Sequence, residues 1–403
     1  MTRTSQPDWI LLGACLALAA IGTAMIYSAS SGYGAIRWSW ESSRVLSDHL
    51  VRLAIGTCGL AVASFLPLRW LGRGSRWLLW AAVALLVFTV GSNSVGSING
   101  AKRWISIAMF SLQPSEFAKL ALVVAVSWHL SRPGIRIADL QDLFPVLWKI
   151  ALVCGLIILQ PNFSTASALM MTAFVLLLAG GMAWKHIGAM IGIGFVGMVG
   201  IMVAQPYRLA RLSAFFHPEE HAKDSALQSL QSLIALGNGG IFGVGLGRGT
   251  AKLLHLPEPY TDTIFAVLGE ELGLVGTLLT LGLFALVAWR GIAISLASRD
   301  PFAKLLAVGL TTLLCLWATL HAMVCTRIIP TTGLPMPFVS YGGSSLLFSM
   351  VCLGLLLNLS RHVGETFEEE PPPRSAWSPE RASSRTGSAP ARATTTAGRP
   401  AWR

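Results

Sequence analysis

Residues 262–289 read DTIFAVLGEELGLVGTLLTLGLFALVAW, one aspartate followed by an apolar run whose only other charges are Glu270 and Glu271. At about 1.5 Å per residue a helix over this run is longer than the hydrocarbon core of a bilayer, about 30 Å thick. Similar apolar runs recur along the chain, at 9–29, 51–68, 77–92, 114–130, 144–160, 163–183, 187–205, 302–325 and 341–360. The spacing predicts an all-α, polytopic membrane protein of about ten transmembrane helices. The fourth run is interrupted by Glu116 and Lys119. The first run is too long for the apolar part of a typical secretory signal, so it reads as a spanning helix despite the small residues Ser28-Ala29-Ser30 behind it.

Composition agrees. The 403 residues are 53% hydrophobic and 12% charged, where a soluble domain carries roughly 25% charged residues. The net charge of +11 does not form a basic stripe with interleaved aromatics, so no nucleic-acid partner is expected. The basic residues instead fall in short joints: Arg69, Arg73 and Arg76; Arg132 and Arg136; Lys185; Arg290, Arg299 and Lys304; Arg361. Short Lys- and Arg-rich loops belong on the cytoplasmic side. Both termini are therefore expected in the cytoplasm, and 30–50, 93–113, 206–261 and 326–340 outside. None of the six cysteines forms a CxxC pair, which predicts neither disulfide nor zinc.

These rules divide the chain into a transmembrane domain, 1–361, and a cytoplasmic tail, 362–403. Glu, Pro, Ser, Thr, Ala and Arg dominate the tail, too little apolar surface to fold. The largest outer loop, 206–261, is long enough to carry function. Leu227, Leu230, Leu233 and Ile234 predict an amphipathic helix on the membrane surface. Gly237 to Gly249 reads as a glycine-rich turn, without the strand or the Gly-Lys-Ser/Thr ending of a nucleotide loop. No Asp-x-Asp pair occurs, which argues against a metal-bound nucleotide-sugar donor.

Charge within apolar runs costs about 2.5 to 3.5 kcal/mol per residue at a helix centre, so each instance needs a cause. Glu116 and Lys119 stand three residues apart and can pair, either as a structural brace or as part of a binding site. Asp262 can cap its helix or serve as a catalytic carboxylate. Below it Ala266, Gly269, Gly273 and Gly276 make a small-residue face, either a groove or a close helix contact. Of Glu270 and Glu271, at least one should face the protein interior or a wet pocket.

Four segments together resemble the FtsW/RodA family of shape, elongation, division and sporulation (SEDS) proteins, over most of residues 9–361. They are Asn99-Gly100-Ala101-Lys102-Arg103-Trp104 with Gln113-Pro114-Ser115-Glu116 and Lys119; Gly239 to Gly249; Leu256-Pro257-Glu258 with Thr261-Asp262 and Gly269-Glu270-Glu271-Leu272-Gly273; and Pro330 to Phe338 through Ser340-Tyr341-Gly342-Gly343-Ser344-Ser345. The resemblance implies a SEDS-type fold of ten spanning helices in the bacterial cytoplasmic membrane. It also implies a glycosyltransferase that polymerises lipid II into glycan strands on the outer face, alongside a class B penicillin-binding protein that crosslinks them.

Asp262 matches the family's essential carboxylate and is the expected catalytic base. Lys102, Arg103, Trp104, Gln113, Ser115, Glu116, Lys119, Arg208, Arg211, Lys252, Glu258, Ser340 and Ser344 are the expected binding residues for lipid II and the growing undecaprenyl-diphosphate glycan. A divalent cation, Mg or Mn, is the alternative to these side chains as counter-charge for the diphosphate. The chain departs from the family pattern at Asn162, Ser164, His321, Met323 and Arg327. Two other functions fit the same polar interior: a lipid II flippase, and a non-catalytic scaffold of the division or elongation machinery. A flippase has no need of a carboxylate at the outer surface.

Overall fold

A computed structural model describes residues 6–37, 42–91, 97–98, 101–107, 110–135, 139–203, 206–217, 226–253, 256–257 and 259–365. Helices cover every predicted apolar run: α1 Trp9–Arg37, α2 Ser42–Phe65, α3 Leu68–Gly91, α4 Pro114–Leu130, α5 Leu140–Leu159, α6 Phe163–Ala179, α7 Trp184–Val203, then α10 Ile264–Ala297, α11 Pro301–Cys325 and α12 Gly343–Arg361. The large loop contributes two shorter helices, α8 Pro206–Phe216 and α9 Leu227–Gly239. Among the described residues, seven of the twelve are long and apolar enough to span a bilayer, and the 17-residue α6 is a shorter apolar helix. The protein is thus a multi-pass, all-α membrane protein.

Two expectations about the joints change. The predicted outer segment 30–50 is mostly helix, because α1 and α2 run on past the apolar runs and leave only 38–41 between them, outside the described residues. The segment 93–113 contains two small antiparallel hairpins, β1 (Ser97–Ile98) with β2 (Ala101–Lys102) and β3 (Ile105–Ile107) with β4 (Phe110–Leu112). Most of the tail, 366–403, lies outside the described residues.

Small residues set the helix approaches. The most extensive contact is between α2 and α12, where a Cβ on Gly354 would overlap the Leu60 carbonyl. Gly22 of α1 touches the backbone of Phe338 and Val339 just as closely. The face Ala266, Gly269, Gly273 and Gly276 is not an open groove: Leu236 of α9 fills the space over Gly269, Ile241 and Gly243 abut Gly273, and the Leu272 side chain covers Gly276. Close packing explains these glycines, as helix pairs in lipid gain mainly from van der Waals contact. The side of α9 that meets α10 is also the small one, Ser229, Ser232, Ala235 and Gly239, whereas Leu233 and Ile234 are exposed.

α10 is broken at Gly273, whose φ of 68° and ψ of −164° no helix allows. The glycine-rich coil 239–249 repairs the break. Val244 and Gly245 donate to the carbonyls of Glu270 and Glu271, and Leu274 and Val275 donate to those of Gly240 and Ile241. Gly243 has a φ of 79° and lies against the Glu271 carbonyl, so both its conformation and its space exclude a side chain.

At the other end of α10, Arg290 pairs with Asp8 at 2.7 Å. Asp8 also caps α1 through Leu11 N, and its own N–H donates to Ser360 of α12. One aspartate thus ties the first, the broken and the last long helices.

Candidate functional site

Asp262 stands two residues before α10. The N-cap of that helix is Thr263, with no side-chain cap bond, so the position of Asp262 is not the N-cap the sequence allowed. The segment around it is held from the 326–341 region. Ser340 Oγ donates to the Thr261 carbonyl and accepts from Met336 N–H, each at 2.8 Å. Tyr341 N–H donates to the Tyr260 carbonyl, and the two rings meet edge to face at 5.5 Å. A Cβ on Gly333 would come within 3.3 Å of an Asp262 carboxylate oxygen, so Gly333 leaves the room beside that group.

Asp262 stays partly exposed, whereas Glu116, Glu270 and Glu271 are 4%, 1% and 0% exposed. Each of these three is satisfied locally. Glu270 accepts from the N–H groups of Thr250 and Ala251 and from the Thr250 hydroxyl. Glu271 pairs with Lys252 at 2.7 Å, accepts from Ser28 Oγ at 2.7 Å and from Gly247 N–H at 3.0 Å, and Lys252 also donates to Ser28. Glu116 pairs with Lys119 at 2.8 Å, and the Lys119 ammonium lies 4.4 Å from the Trp317 ring. The cavity beside that pair, lined also by Pro337, Ser345 and Cys352, measures about 20 Å³. It holds about one water and no sugar.

The other expected site residues separate into those near Asp262 and those that brace the fold. Arg211 of α8 donates to the Thr331 carbonyl, two residues from Gly333. Arg327, at φ 55°, donates to the Phe215 carbonyl and makes a second link from α8 to the same segment. Arg103 donates to the Gln160 and Pro161 carbonyls in the α5–α6 turn. Asn162 is the buried N-cap of α6, and Ser164 is the second residue of that helix. Ser344 accepts from Gln113 N–H and donates to the Ser111 carbonyl, joining α12 to the start of α4. Ser115 is fully buried, Trp104 half-buried. Lys102 lies in β2 and Arg208 in α8; Glu258 lies outside the described residues. His321 is buried in α11 with Nδ1 2.8 Å from the Leu334 carbonyl, and Met323 is the next residue but one.

The sequence reading passed over a cation. Arg52 of α2 lies over the Tyr341 ring at 4.4 Å, and His49, one turn earlier, faces the same ring at 6.3 Å. Arg52 sits at the head of the predicted run 51–68, and the cost of charge in an apolar run was signal enough to find it.

Replacement of Ser340 by alanine is expected to leave the Thr261 carbonyl and Met336 N–H without their shared partner, a loss of about 1 to 3 kcal/mol. Hydrogen exchange over 259–263 and 334–341 should accelerate, with α4 and α6 unchanged.

The profile of the cell cycle proteins FtsW, RodA and SpoVE matches residues 8–365. "Probable peptidoglycan glycosyltransferase FtsW" of Trichlorobacter lovleyi is 36% identical over 89% of this chain and 94% of its own. "Stage V sporulation protein E" of Bacillus subtilis is 36% identical over 90% and 99%. Among solved structures, a chain from a study titled "Structural coordination of polymerization and crosslinking by a peptidoglycan synthase complex" superposes with a TM-score of 0.74 at 25% identity, over 89% of this chain and 99% of that one. The rod shape determining protein RodA of Thermus thermophilus superposes with a TM-score of 0.67 at 27% identity, over 89% and 98%.

Proposed function

Because the chain belongs to the FtsW/RodA/SpoVE family of cell cycle proteins, we propose that it is a peptidoglycan glycosyltransferase that polymerises lipid II outside the cytoplasmic membrane, with both termini inside. The observation that carries the site assignment is the contrast among its acids. Glu116, Glu270 and Glu271 are buried in bonds that brace the fold, and Asp262 keeps partial exposure at the head of α10.

In the proposed reaction the acceptor sugar's 4-hydroxyl attacks the anomeric carbon of the donor from the side opposite the diphosphate. The new C–O bond forms as the bond to the diphosphate breaks, and the hydroxyl proton passes to the Asp262 carboxylate. The configuration at the anomeric carbon inverts. The departing diphosphate needs positive charge. Lys119 and Lys252 are already committed to buried glutamates, which leaves Arg211, tied to the segment that flanks Asp262, and Arg52, stacked on Tyr341, as the better placed side chains. A divalent cation bound by the diphosphate would serve the same end.

A poised outer carboxylate favours the transferase over a flippase. The structural likeness to a chain from a peptidoglycan synthase complex supports a class B penicillin-binding protein as partner. The test is polymerisation of labelled lipid II by the purified protein, alone and with such a partner. Glycan strands of many disaccharide units are expected from the pair. Transport of lipid II across vesicles without polymer would favour the flippase, and neither activity the scaffold.

A further inference from the structure

We infer that the glycine-rich coil 239–249 is immersed in the outer leaflet of the bilayer, with Ile241, Phe242 and Leu246 in contact with acyl chains, and is not a water-facing turn. Three observations carry this. The first is depth. Gly273, which the coil abuts, lies nine residues below the first residue of α10, about 13 Å along the axis. With Arg290, the first charge after Glu271, taken as the far polar boundary within α10, a straight helix from Ile264 to that point would measure about 39 Å, against a hydrocarbon core of about 30 Å. If all of the excess, about 9 Å, protruded at the outer end, Gly273 would still lie about 4 Å below the hydrocarbon boundary.

The second observation is exposure. Ile241, Phe242 and Leu246 are 61%, 82% and 59% exposed, a large apolar surface for water to face. They continue the outward row Leu274, Val275 and Leu278 of α10, each more than half exposed on a helix with the length and composition of a span. Backbone bonds place Ile241 directly beside Val275, so the coil and the helix present one surface.

The third is the backbone. Irregular backbone survives at membrane depth only where its polar groups are satisfied within the protein. Here Gly243, Val244, Gly245 and Arg248 donate to backbone carbonyls, Gly247 donates to the Glu271 carboxylate, and the carbonyls of Gly240 and Ile241 accept from Leu274 and Val275, so the backbone is satisfied within the protein where the coil joins α10. A hydrated turn has no such need. Arg248, the coil's single charge, is exposed, and its long stem can carry the guanidinium up to the lipid phosphates.

The test uses the full chain in vesicles of phosphatidylethanolamine and phosphatidylglycerol. The exposed Cys58 is replaced by serine, since the remaining cysteines are buried or half-buried. A nitroxide is attached at Phe242→Cys, with Ile241→Cys and Leu246→Cys as parallel variants should one fail to fold, and at His217→Cys as an exposed reference. Collision rates with oxygen, which partitions into hydrocarbon, and with a water-soluble nickel chelate locate each label. At 241, 242 and 246 oxygen should exceed nickel severalfold. Nickel in excess there would place the coil in water and overturn the inference. Low rates with both would mean that protein covers the surface, which overturns it equally. The readout requires no enzymatic activity.

Discussion

Asp262→Asn protein, assayed with a class B penicillin-binding protein, will polymerise lipid II about 10² to 10⁴ times more slowly than the parent, the usual contribution of a positioned general base. The asparagine keeps the size of the side chain and the room beside Gly333 but cannot take the proton. Thermal stability and membrane insertion should be close to those of the parent, because the carboxylate is partly exposed and the segment is held by Ser340 and Tyr341 through backbone groups. Parent-like polymer from this variant would remove Asp262 from the mechanism. Loss of polymer with a large fall in melting temperature would instead mark the aspartate as structural.

A stability effect of the opposite kind is expected two turns into the same helix. Lys252→Met leaves Glu271 buried, with its ammonium partner gone and only Ser28 Oγ and Gly247 N–H remaining. Removing one member of a buried pair costs about 3 to 5 kcal/mol, because the other charge stays desolvated. Lys252→Met combined with Glu271→Leu should recover much of that loss, since an apolar pair needs no solvation. The measurement is thermal unfolding in one detergent for the parent, both single variants and the double variant. Equal stability of parent and Lys252→Met would show that water reaches Glu271. The same logic separates Lys252 from the diphosphate: an ammonium 2% exposed and held by a carboxylate is a brace for the coil.

The parts of the fold that obey simple periodicity were legible. Apolar length places α4 at Pro114–Leu130, the bounds read from its sequence, although Glu116 and Lys119 interrupt the run; the two charges cancel within the helix. The glycine stretch was not legible in the same way. Its residues read as a turn because turn chemistry is local, whereas the partners of Val244 and Gly245, Glu270 and Glu271, lie on α10 far along the chain. Nor could spacing decide between groove and contact at Gly269 and Gly273, because what fills the face there, Leu236 and Ile241, comes from another segment. Charges followed the same rule. The pairing of Glu116 and Lys119 is encoded three residues apart, but that of Glu271 with Lys252 and Ser28 joins positions 19 and 243 residues distant.

The clasp at Asp8 has a consequence for biogenesis. Its three participants are Asp8, Arg290 and Ser360, so the first helix to leave the ribosome exposes an aspartate whose partners lie 282 and 352 residues later in the chain. Until then that carboxylate can remain at a wet membrane border, and the early helices can insert without committing to final neighbours. Translation of the last helix then adds Ser360 to the clasp, and chains truncated before residue 360 would keep the Asp8–Arg290 pair but lack the tie to α12.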